Sequence, residues 1–220
     1  SNSGTLMGIA SYSDKEWVSQ QERNHYVIND NLYIKPELFF PDVDQESPFE
    51  VRANVGGLYQ REQEECCQFL VDKSKRLSNS NNITVGGGSF LNCNTNTNII
   101  KSDLFNDSHF FASCDDSGIP LGCALYGGFI FDKPIRQDFF SPYLGREYSR
   151  DEILKSIDEI PDLDFKEFYD YNELTDFISD LLVENKTIGW FQGRSEIGPR
   201  ALGNRSIIAN PKESWMRDYI

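Results

Sequence analysis

The chain has 220 residues, of which 39% are hydrophobic and 25% charged, and it carries a formal net charge of −14. This is the composition of a globular protein with enough apolar residues for one large domain or two small ones. The acidic balance and the lack of a basic stripe argue against nucleic acid as a partner, and no apolar run is long enough to indicate a membrane partner.

The five cysteines indicate a reducing compartment. Their number is odd, Cys66 and Cys67 are adjacent, and the sequence contains neither a CxxC motif nor a zinc-like spacing. We therefore expect reduced, mostly buried thiols and a cytoplasmic location.

The two chain ends predict a fragment of a longer protein. Residues 4–12 have no initiating Met and read like the middle of a structured segment, and residues 215–220 form a helical pattern without a stop signal.

The first part of the chain predicts a hairpin and a long helix. Residues 24–34 alternate around Asn29-Asp30-Asn31, which is typical of a β-hairpin. From Phe49 to Leu77 the apolar residues recur at helical spacing. Gly56 and Gly57 lie inside this helix, where each glycine costs about 1 kcal/mol relative to alanine. Close packing is the more common reason for such glycines, and a nearby ligand is the other.

Two successive segments, residues 83–92 and 109–126, each place a β-rich run before a loop and a helix start. In the first, three glycines follow the strand, so backbone N–H groups could surround a phosphate, although a flexible turn has the same composition. In the second, Asp115 and Asp116 precede a helix rich in small residues, where a carboxylate could bind a cation or cap the helix. Together they suggest an α/β domain that holds a nucleotide between two loops.

The last part of the chain predicts two helices and a strand. Ser149 and Glu152 have capping-box spacing, and an acidic loop at 159–171 follows as a plausible inter-domain connection. Residues 174–182 carry an apolar stripe at i, i+3, i+4, i+7 and i+8, for which core packing is the whole expected explanation. A predicted strand at 187–191 leads into the most basic stretch of the chain.

That stretch, residues 193–206, reads Gly-Arg-Ser-Glu-Ile-Gly-Pro-Arg-Ala-Leu-Gly-Asn-Arg-Ser. Its three glycines would let the backbone approach a ligand, and its three arginines could each bind a phosphate or carboxylate with two hydrogen bonds. A surface loop whose arginines pair with neighbouring carboxylates has the same composition. Composition alone leaves both interpretations open.

The same stretch resembles a motif of the NodU/CmcH-type O-carbamoyltransferases. It departs from the usual motif at Ser195 and Ile197, where Met and Phe are typical. Further similarities follow in the family's order and span nearly the whole chain: residues 6–10 (the MGLA segment), Gln60 and Glu64 (the long helix), Gly87, Gly88 and Asn92 (the GGVALN loop), Asp116, Ser117, Gly118 and Gly122 (the DAGGAxG segment), and residues 142–145 (the PYLG segment).

The resemblance implies an α/β protein with two domains. Residues 1–145 would be the second half of an ASKHA (actin/sugar-kinase-like) ATPase domain, and residues 146–220 would be linker helices and the start of a YrdC-like α/β domain. In this family the YrdC-like domain condenses carbamoyl phosphate with ATP to carbamoyl-adenylate and pyrophosphate. The ASKHA-type domain then transfers the carbamoyl group to an acceptor hydroxyl, with an iron-type metal at the site.

The implied ligands are therefore ATP as co-substrate, carbamoyl phosphate, a small-molecule hydroxyl acceptor, and iron or another divalent metal. Two alternatives remain, a non-catalytic nucleotide-binding ASKHA-type module and a related threonylcarbamoyl or hydrogenase-maturation carbamoyl-transfer protein. The PYLG-like and GPRALGNRS segments argue against the second alternative, because those relatives differ there.

The resemblance also implies roles for individual residues. Asp116 would be the metal ligand and, with Arg200 and Arg205, catalytic. The expected nucleotide-binding residues are Gly87, Gly88, Asn92, Ser117 and Gly118. The expected binding residues for carbamoyl phosphate and ATP are Arg194, Arg200, Asn204, Arg205 and Ser206.

Two parts of the family pattern have no counterpart in this sequence. The family's two metal-binding histidines lie upstream of the MGLA segment, and neither His25 nor His109 matches them, so we interpret both as ordinary surface or strand residues. The Lys/Arg-rich segment that completes the YrdC-like site lies downstream of Ile220. We therefore expect the 220-residue chain alone to be inactive. Variable loops such as 13–48 would choose the acceptor.

Overall fold

The computed structural model describes residues 3–35, 43, 44, 46–133 and 141–220. Residues 36–42 and 45, part of the loop expected to choose the acceptor, lie outside this set. The chain divides into two compact units, Ser1–Asp116 and Ser117–Ile220. The described elements form a mixed α/β structure, as predicted. The ASKHA and YrdC-like assignments, and the domain boundary at 145/146, stay predictions.

The first unit opens with two short helices and a hairpin. Helices α1 (Ser3–Ala10) and α2 (Lys15–Gln20) precede strands β1 (His25–Ile28) and β2 (Asn31–Ile34), which pair antiparallel. Asn29 and Asp30 form the two-residue turn with φ of 50° and 59°. Asn and Asp tolerate this left-handed region better than other residues with a side chain, so the predicted hairpin is confirmed with a tighter turn.

The core of the first unit lies along helix α3 (Phe49–Leu77), which confirms the predicted long helix. A Cβ atom on Gly57 would stand 2.5 Å from Oγ of Ser13 and 2.9 Å from Cγ2 of Val18. Close packing therefore explains this glycine. The buried residues of α3 are Ala53, Val55, Gly56, Gly57, Leu58, Glu62, Cys67 and Val71.

Both predicted strand–loop–helix segments are present. Strand β3 (Asn82–Val85) pairs in parallel with β4 (Asp107–Phe110), and helix α4 (Cys93–Lys101) follows β3. After β4, a short 3₁₀ turn at Asp116–Gly118 precedes helix α5 (Ile119–Ile130). Parallel strands bring their carboxyl ends to one edge of the sheet, which is where the two predicted loops begin.

The second unit starts with α5 and continues with helices α6 (Arg150–Asp158) and α7 (Tyr171–Val183). Strands β5 (Ile188–Phe191) and β6 (Arg205–Ile208) then pair antiparallel, and helix α8 (Met216–Tyr219) ends the described chain. The predicted capping box is confirmed, because Ser149 and Glu152 each accept a hydrogen bond from the other's backbone N–H.

Burial in this unit corrects one expectation. Helix α7 forms as predicted, but its stripe is only half-buried and Phe177 is 39% exposed, so core packing does not account for all of it. Among the described apolar residues of the second unit, Met216 is the one that is buried. The cysteines also depart from the expectation of mostly buried thiols, since Cys93 and Cys123 are exposed.

Among the described residues, no helix has both the length and the apolar character needed to cross a membrane.

Candidate functional site

The basic stretch forms a long loop, residues 192–204, that connects β5 and β6. Its neck is closed by Gln192, whose N–H donates to the carbonyl of Asn204 at 3.0 Å. The guanidinium of Arg205 donates to the carbonyls of Gln192 (2.6 Å), Asn204 (2.8 Å) and Gly193 (3.2 Å). It also lies 3.5 Å from the ring centroid of Phe191. Arg205 therefore ties the two ends of the loop together.

Three glycines give this loop its path. Gly193, Gly198 and Gly203 have φ of 50°, 102° and 100°, in the left-handed region that glycine adopts at little cost. A side chain at any of the three would be strained. The glycines that sequence analysis assigned to close ligand approach thus have a structural role in the turns themselves.

Glu196 binds the far end of the loop through its carboxylate. Its Oε1 accepts backbone hydrogen bonds from Leu202 (2.9 Å), Asn204 (2.7 Å) and Arg205 (3.2 Å). Burial acts to raise the pKa of Glu196, but the three N–H groups outweigh it and hold the pKa below its usual value. Glu196 is not among the site residues predicted from the sequence, although a single carboxylate among three arginines indicates a contact within the loop.

The PYLG-like segment lies beside the same loop. Ile197 N–H donates to the carbonyl of Pro142 at 2.7 Å, and the backbones of Gly145 and Ser195 are joined by a hydrogen bond of 2.9 Å. The hydroxyl of Tyr143 donates to the carbonyl of Leu202 at 2.9 Å. Two family motifs about fifty residues apart in sequence are thus one local structure.

The predicted anion-binding residues of the loop have different surroundings. Arg194 is exposed, donates to the carbonyl of Gly145 at 3.3 Å and has its Nε 3.6 Å from Glu147, and Arg200 is exposed at the tip. The Asn204 amide donates to the carbonyl of Arg194 at 2.7 Å. The hydroxyl of Ser206 accepts the N–H of Gly203 at 3.1 Å.

These contacts divide the predicted set into two groups. Asn204, Arg205 and Ser206 make hydrogen bonds that hold the loop together, whereas Arg194 and Arg200 are exposed. The structure places Arg194, Arg200 and Asn204 in the loop and Arg205 and Ser206 at the start of β6 directly after it, and their binding roles stay predictions.

In the first unit, the structure places the glycine loop beside the aspartate loop. The N–H of Gly87 donates to the carbonyl of Cys114 at 2.7 Å, and a Cβ on Gly88 would be 3.8 Å from that of Asp115. Gly87 has φ of 101°, which requires glycine. Asp116 is exposed. Ser117 and Gly118 fall in the second unit, where they lead into α5.

Asn92 is buried and links α3 to the start of α4. Its Oδ1 accepts the N–H groups of Asn94 and Thr95 at the start of α4, and its Nδ2 donates to Oε1 of Gln60 at 2.7 Å. Gln60 in turn donates to Glu64 at 2.6 Å. The residues that resemble the family's helix and loop positions are therefore in direct contact.

A cavity of about 430 Å³ opens beside this amide cluster. Its polar lining residues include Gln60, Gln63, Ser89 and Asn92. Its apolar lining residues include Met7, Ile34, Tyr59 and Leu70. Apolar walls with a few converging polar groups are typical of small-molecule sites.

The histidines do not form a metal centre. Nδ1 of His25 lies 2.7 Å from Glu62, whose other oxygen accepts from Arg61 at 2.7 Å. Burial acts to raise the pKa of Glu62, but hydrogen bonds from His25, Arg61 and the Asn24 backbone hold it below its usual value. His25 is therefore not an ordinary surface residue but part of a largely buried hydrogen-bonded cluster. His109 is exposed on β4, which fits the expectation of a strand residue.

Among the described residues, no group of three or more His, Cys, Asp and Glu side chains is arranged to hold a metal ion. Asp116 would supply a single carboxylate, whereas protein metal sites for iron or zinc combine three or more ligands. The described residues do not by themselves fit the implied metal. The role of Asp116 stays a prediction.

Comparison with known proteins places these features in a family. Residues 179–220, which include the whole 192–204 loop, match the model for the carbamoyltransferase C-terminus. The chain is 30% identical over 151 residues to nodulation protein NolO of Bradyrhizobium diazoefficiens, covering 66% of this chain and 27% of NolO. It is 29% identical over 235 residues to the 3′-hydroxymethylcephem-O-carbamoyltransferase of Streptomyces clavuligerus, covering 100% of this chain and 41% of the relative.

Nodulation protein U of Azorhizobium caulinodans is 30% identical over 141 residues, covering 64% of this chain and 23% of the relative. The chain thus spans less than half the length of these relatives. The matches confirm the resemblance that the motifs indicated: the chain belongs to the NodU/CmcH-type carbamoyltransferase family.

Proposed function

We propose that this chain is part of an ATP-dependent O-carbamoyltransferase. The protein would form carbamoyl-adenylate from carbamoyl phosphate and ATP and transfer the carbamoyl group to a hydroxyl of a small molecule. The observation that carries the proposal is the 192–204 loop, a closed structure that presents Arg194 and Arg200 to solvent within the segment matched by the family model. The cephem relatives, named for O-carbamoylation of a hydroxymethyl group, support the acceptor class.

Adenylation brings several negatively charged groups together. Carbamoyl phosphate, ATP and water would give carbamoyl-adenylate, pyrophosphate and phosphate, so the phosphate of carbamoyl phosphate leaves as well as the pyrophosphate. Positively charged groups that are already in position stabilise the charge that accumulates at the reacting phosphorus. Arg194 and Arg200 have the exposure for this role, and Asn204, at the end of the loop, and Arg205 and Ser206, directly after it, would contribute further donors.

The nucleotide part of the intermediate would occupy the first unit. Gly87 and Gly88 have no side chain to obstruct a phosphate, and the neighbouring cavity of about 430 Å³ offers polar groups of Asn92 and Ser89. Ser117 and Gly118 lie at the start of α5, and their nucleotide-binding role stays a prediction. Asp116 is the candidate metal ligand, but no step of this proposal passes through a metal.

We also propose a cytoplasmic location. The odd number of cysteines and their spacing favour reduced thiols.

The first half-reaction can be tested without knowing the acceptor. The natural protein that carries this chain should exchange labelled pyrophosphate into ATP, and only when carbamoyl phosphate is present. We expect Arg200→Ala to lower this exchange by about 100-fold, in the range found for removing one electrostatic donor from an active site. Arg150→Ala removes an exposed arginine of α6, outside the loop, and is the matched control.

Two outcomes would contradict the proposal. Nucleotide binding without any carbamoyl phosphate-dependent exchange would favour a non-catalytic nucleotide-binding module. Exchange that is undiminished in both Arg194→Ala and Arg200→Ala would exclude the loop as the site.

A further inference from the structure

The turn that carries Arg200 is closed by two contacts at one residue, Leu202. Leu202 donates its N–H to Glu196 at 2.9 Å and accepts the hydroxyl of Tyr143 at its carbonyl at 2.9 Å. Residues 197–201 therefore run between two fixed points. Neither side chain belongs to the predicted binding set, so their contacts call for a separate explanation.

The three N–H groups on Glu196 would otherwise be an anion site of their own. Successive backbone N–H groups that converge on one point form a concave site with positive potential. Here Oε1 of Glu196 fills that point, with N–H donors from Leu202, Asn204 and Arg205 between 2.7 and 3.2 Å. An external phosphate therefore cannot use these amides and must rely on the arginine side chains.

A loop with three glycines in left-handed conformations has many alternative paths. Binding an anion through side chains on such a loop requires that the backbone be ordered beforehand, because otherwise ordering costs affinity. The half-buried carboxylate of Glu196 is held by three charge-assisted hydrogen bonds, the stronger class of protein hydrogen bonds.

We propose that Glu196 and Tyr143 are positioning residues that fix the 197–201 turn, so that Arg194 and Arg200 are already in place to bind the phosphates of carbamoyl phosphate or ATP. This assignment rests on the proposed function for its ligand. The assignment predicts that anion binding requires an acceptor oxygen at position 196, although this oxygen would not contact the substrate itself.

The test uses inorganic pyrophosphate as the probe, titrated calorimetrically into the natural protein that carries this chain. We expect Glu196→Ala to weaken binding by at least about tenfold and Tyr143→Phe by about fivefold. Glu196→Gln keeps an acceptor oxygen at the same place and should stay within about threefold of wild type. Glu173→Ala and Tyr171→Phe change exposed residues of α7 and serve as matched controls.

Two further measurements separate positioning from general stability. Hydrogen exchange should accelerate at Leu202, Asn204 and Arg205 in Glu196→Ala, while the melting temperature stays that of wild type. In the exchange assay, the KM for carbamoyl phosphate or ATP should rise more than kcat falls, because the residue acts on the site before substrate binds.

The possible results decide the assignment. Wild-type affinity for pyrophosphate in Glu196→Ala would overturn the assignment. Equal losses of affinity in Glu196→Gln and Glu196→Ala would also overturn it, because they would show that the charge of Glu196 matters and not its acceptor oxygen. If the wild-type protein binds no pyrophosphate, the proposed function fails at this loop. Unchanged exchange at the three amides would then overturn the positioning role as well, whereas faster exchange would support it.

Discussion

Glu62 and Glu196 are two carboxylates whose pKa is lowered by different surroundings. Glu62 lies in a buried cluster with His25 and Arg61, and the hydrogen bonds from these side chains offset the effect of burial on its pKa. Glu196 sits among backbone N–H groups, which supply partial positive charge without a cation. Removing the charge of Glu62 leaves the guanidinium of Arg61 without its carboxylate, whereas changing Glu196 releases a loop.

The buried cluster should make stability depend on pH. Because the folded-state pKa of Glu62 is depressed, its contribution is fully present above the usual value near 4.5 and is lost as pH falls through the folded value. We expect Glu62→Gln to lower the free energy of unfolding by about 3 kcal/mol near neutral pH. The loss should shrink in acid, as measured by urea unfolding at about pH 6 and about pH 3.

Glu65→Gln is the control for this experiment. Glu65 is on the same helix but pairs with Arg23, whose side chain is 53% exposed, so its loss should stay below about 1 kcal/mol. A Glu62→Gln penalty of the same size at every pH would show that shape, and not charge, is what Glu62 contributes.

The cysteines should differ sharply in reactivity. Burial, together with Glu62, Cys67 and Glu65, raises the pKa of Cys66 from 9.0 to about 11. That shift lowers the thiolate fraction at neutral pH by about 100-fold, and the thiolate is the reactive form. Iodoacetamide labelling followed by mass spectrometry should therefore modify the exposed Cys93 and Cys123 first. Labelling of Cys66 at a similar rate would contradict the arrangement around α3.

At the scale of elements, the first unit is built along α3. Helix α2 and the turn before α2 pack directly against the backbone of α3. Gly57 permits this approach, since Ser13 and Val18 occupy the space that a Cβ would need. Ser13 is itself buried, and its hydroxyl donates to the carbonyl of Ala10 at 2.7 Å. Both Ser13 and the backbone of α3 are therefore held in place at this close contact.

Gly57→Ala should destabilise the first unit by about 1–3 kcal/mol, because the added methyl group overpacks a filled site. Gly8→Ala is the matched control, since Gly8 is also helical but has nothing within 4 Å of its Cβ position. That control should be neutral or slightly stabilising, because alanine favours helix. Thermal unfolding of both variants measures the difference, and a neutral Gly57→Ala would contradict the observed packing.

At the scale of the whole molecule, the described apolar surface is distributed unevenly. Helix α5 contains no buried residue, and Tyr126, Phe129 and Ile130 are 65%, 68% and 56% exposed. These positions are i, i+3 and i+4, so they share one face of the helix. A contiguous apolar face of this kind favours association.

We expect the 220-residue chain by itself to self-associate through α5. Phe129→Gln should weaken association by at least about tenfold, because burying a phenylalanine contributes roughly 2 kcal/mol. Sedimentation equilibrium measures the change. Tyr169→Gln removes an aromatic ring that is 87% exposed outside α5 and should have little effect. Equal effects of the two substitutions would exclude α5 as the contact.

The sequence by itself determined the local elements and the family. The Asn-Asp hairpin turn, the periodicity of α3, the Ser149–Glu152 cap and the strand–loop–helix segments depend on residues close together in the chain, so short-range physics specifies them. Family membership followed from motifs in a fixed order. Burial was less predictable, as the half-buried stripe of α7 illustrates, because it depends on which elements meet.

Only the tertiary structure decided how the basic loop is held. Tyr143 and Leu202 are 59 residues apart, and His25 and Glu62 are 37 apart, so no local pattern indicates either contact. The direction of the N–H groups that bind Glu196 depends on the backbone path through three glycines. Composition leaves open whether the loop binds anions or pairs its arginines with neighbouring carboxylates, whereas the fold determines that Glu196 fills the amide site and that Arg194 and Arg200 remain exposed.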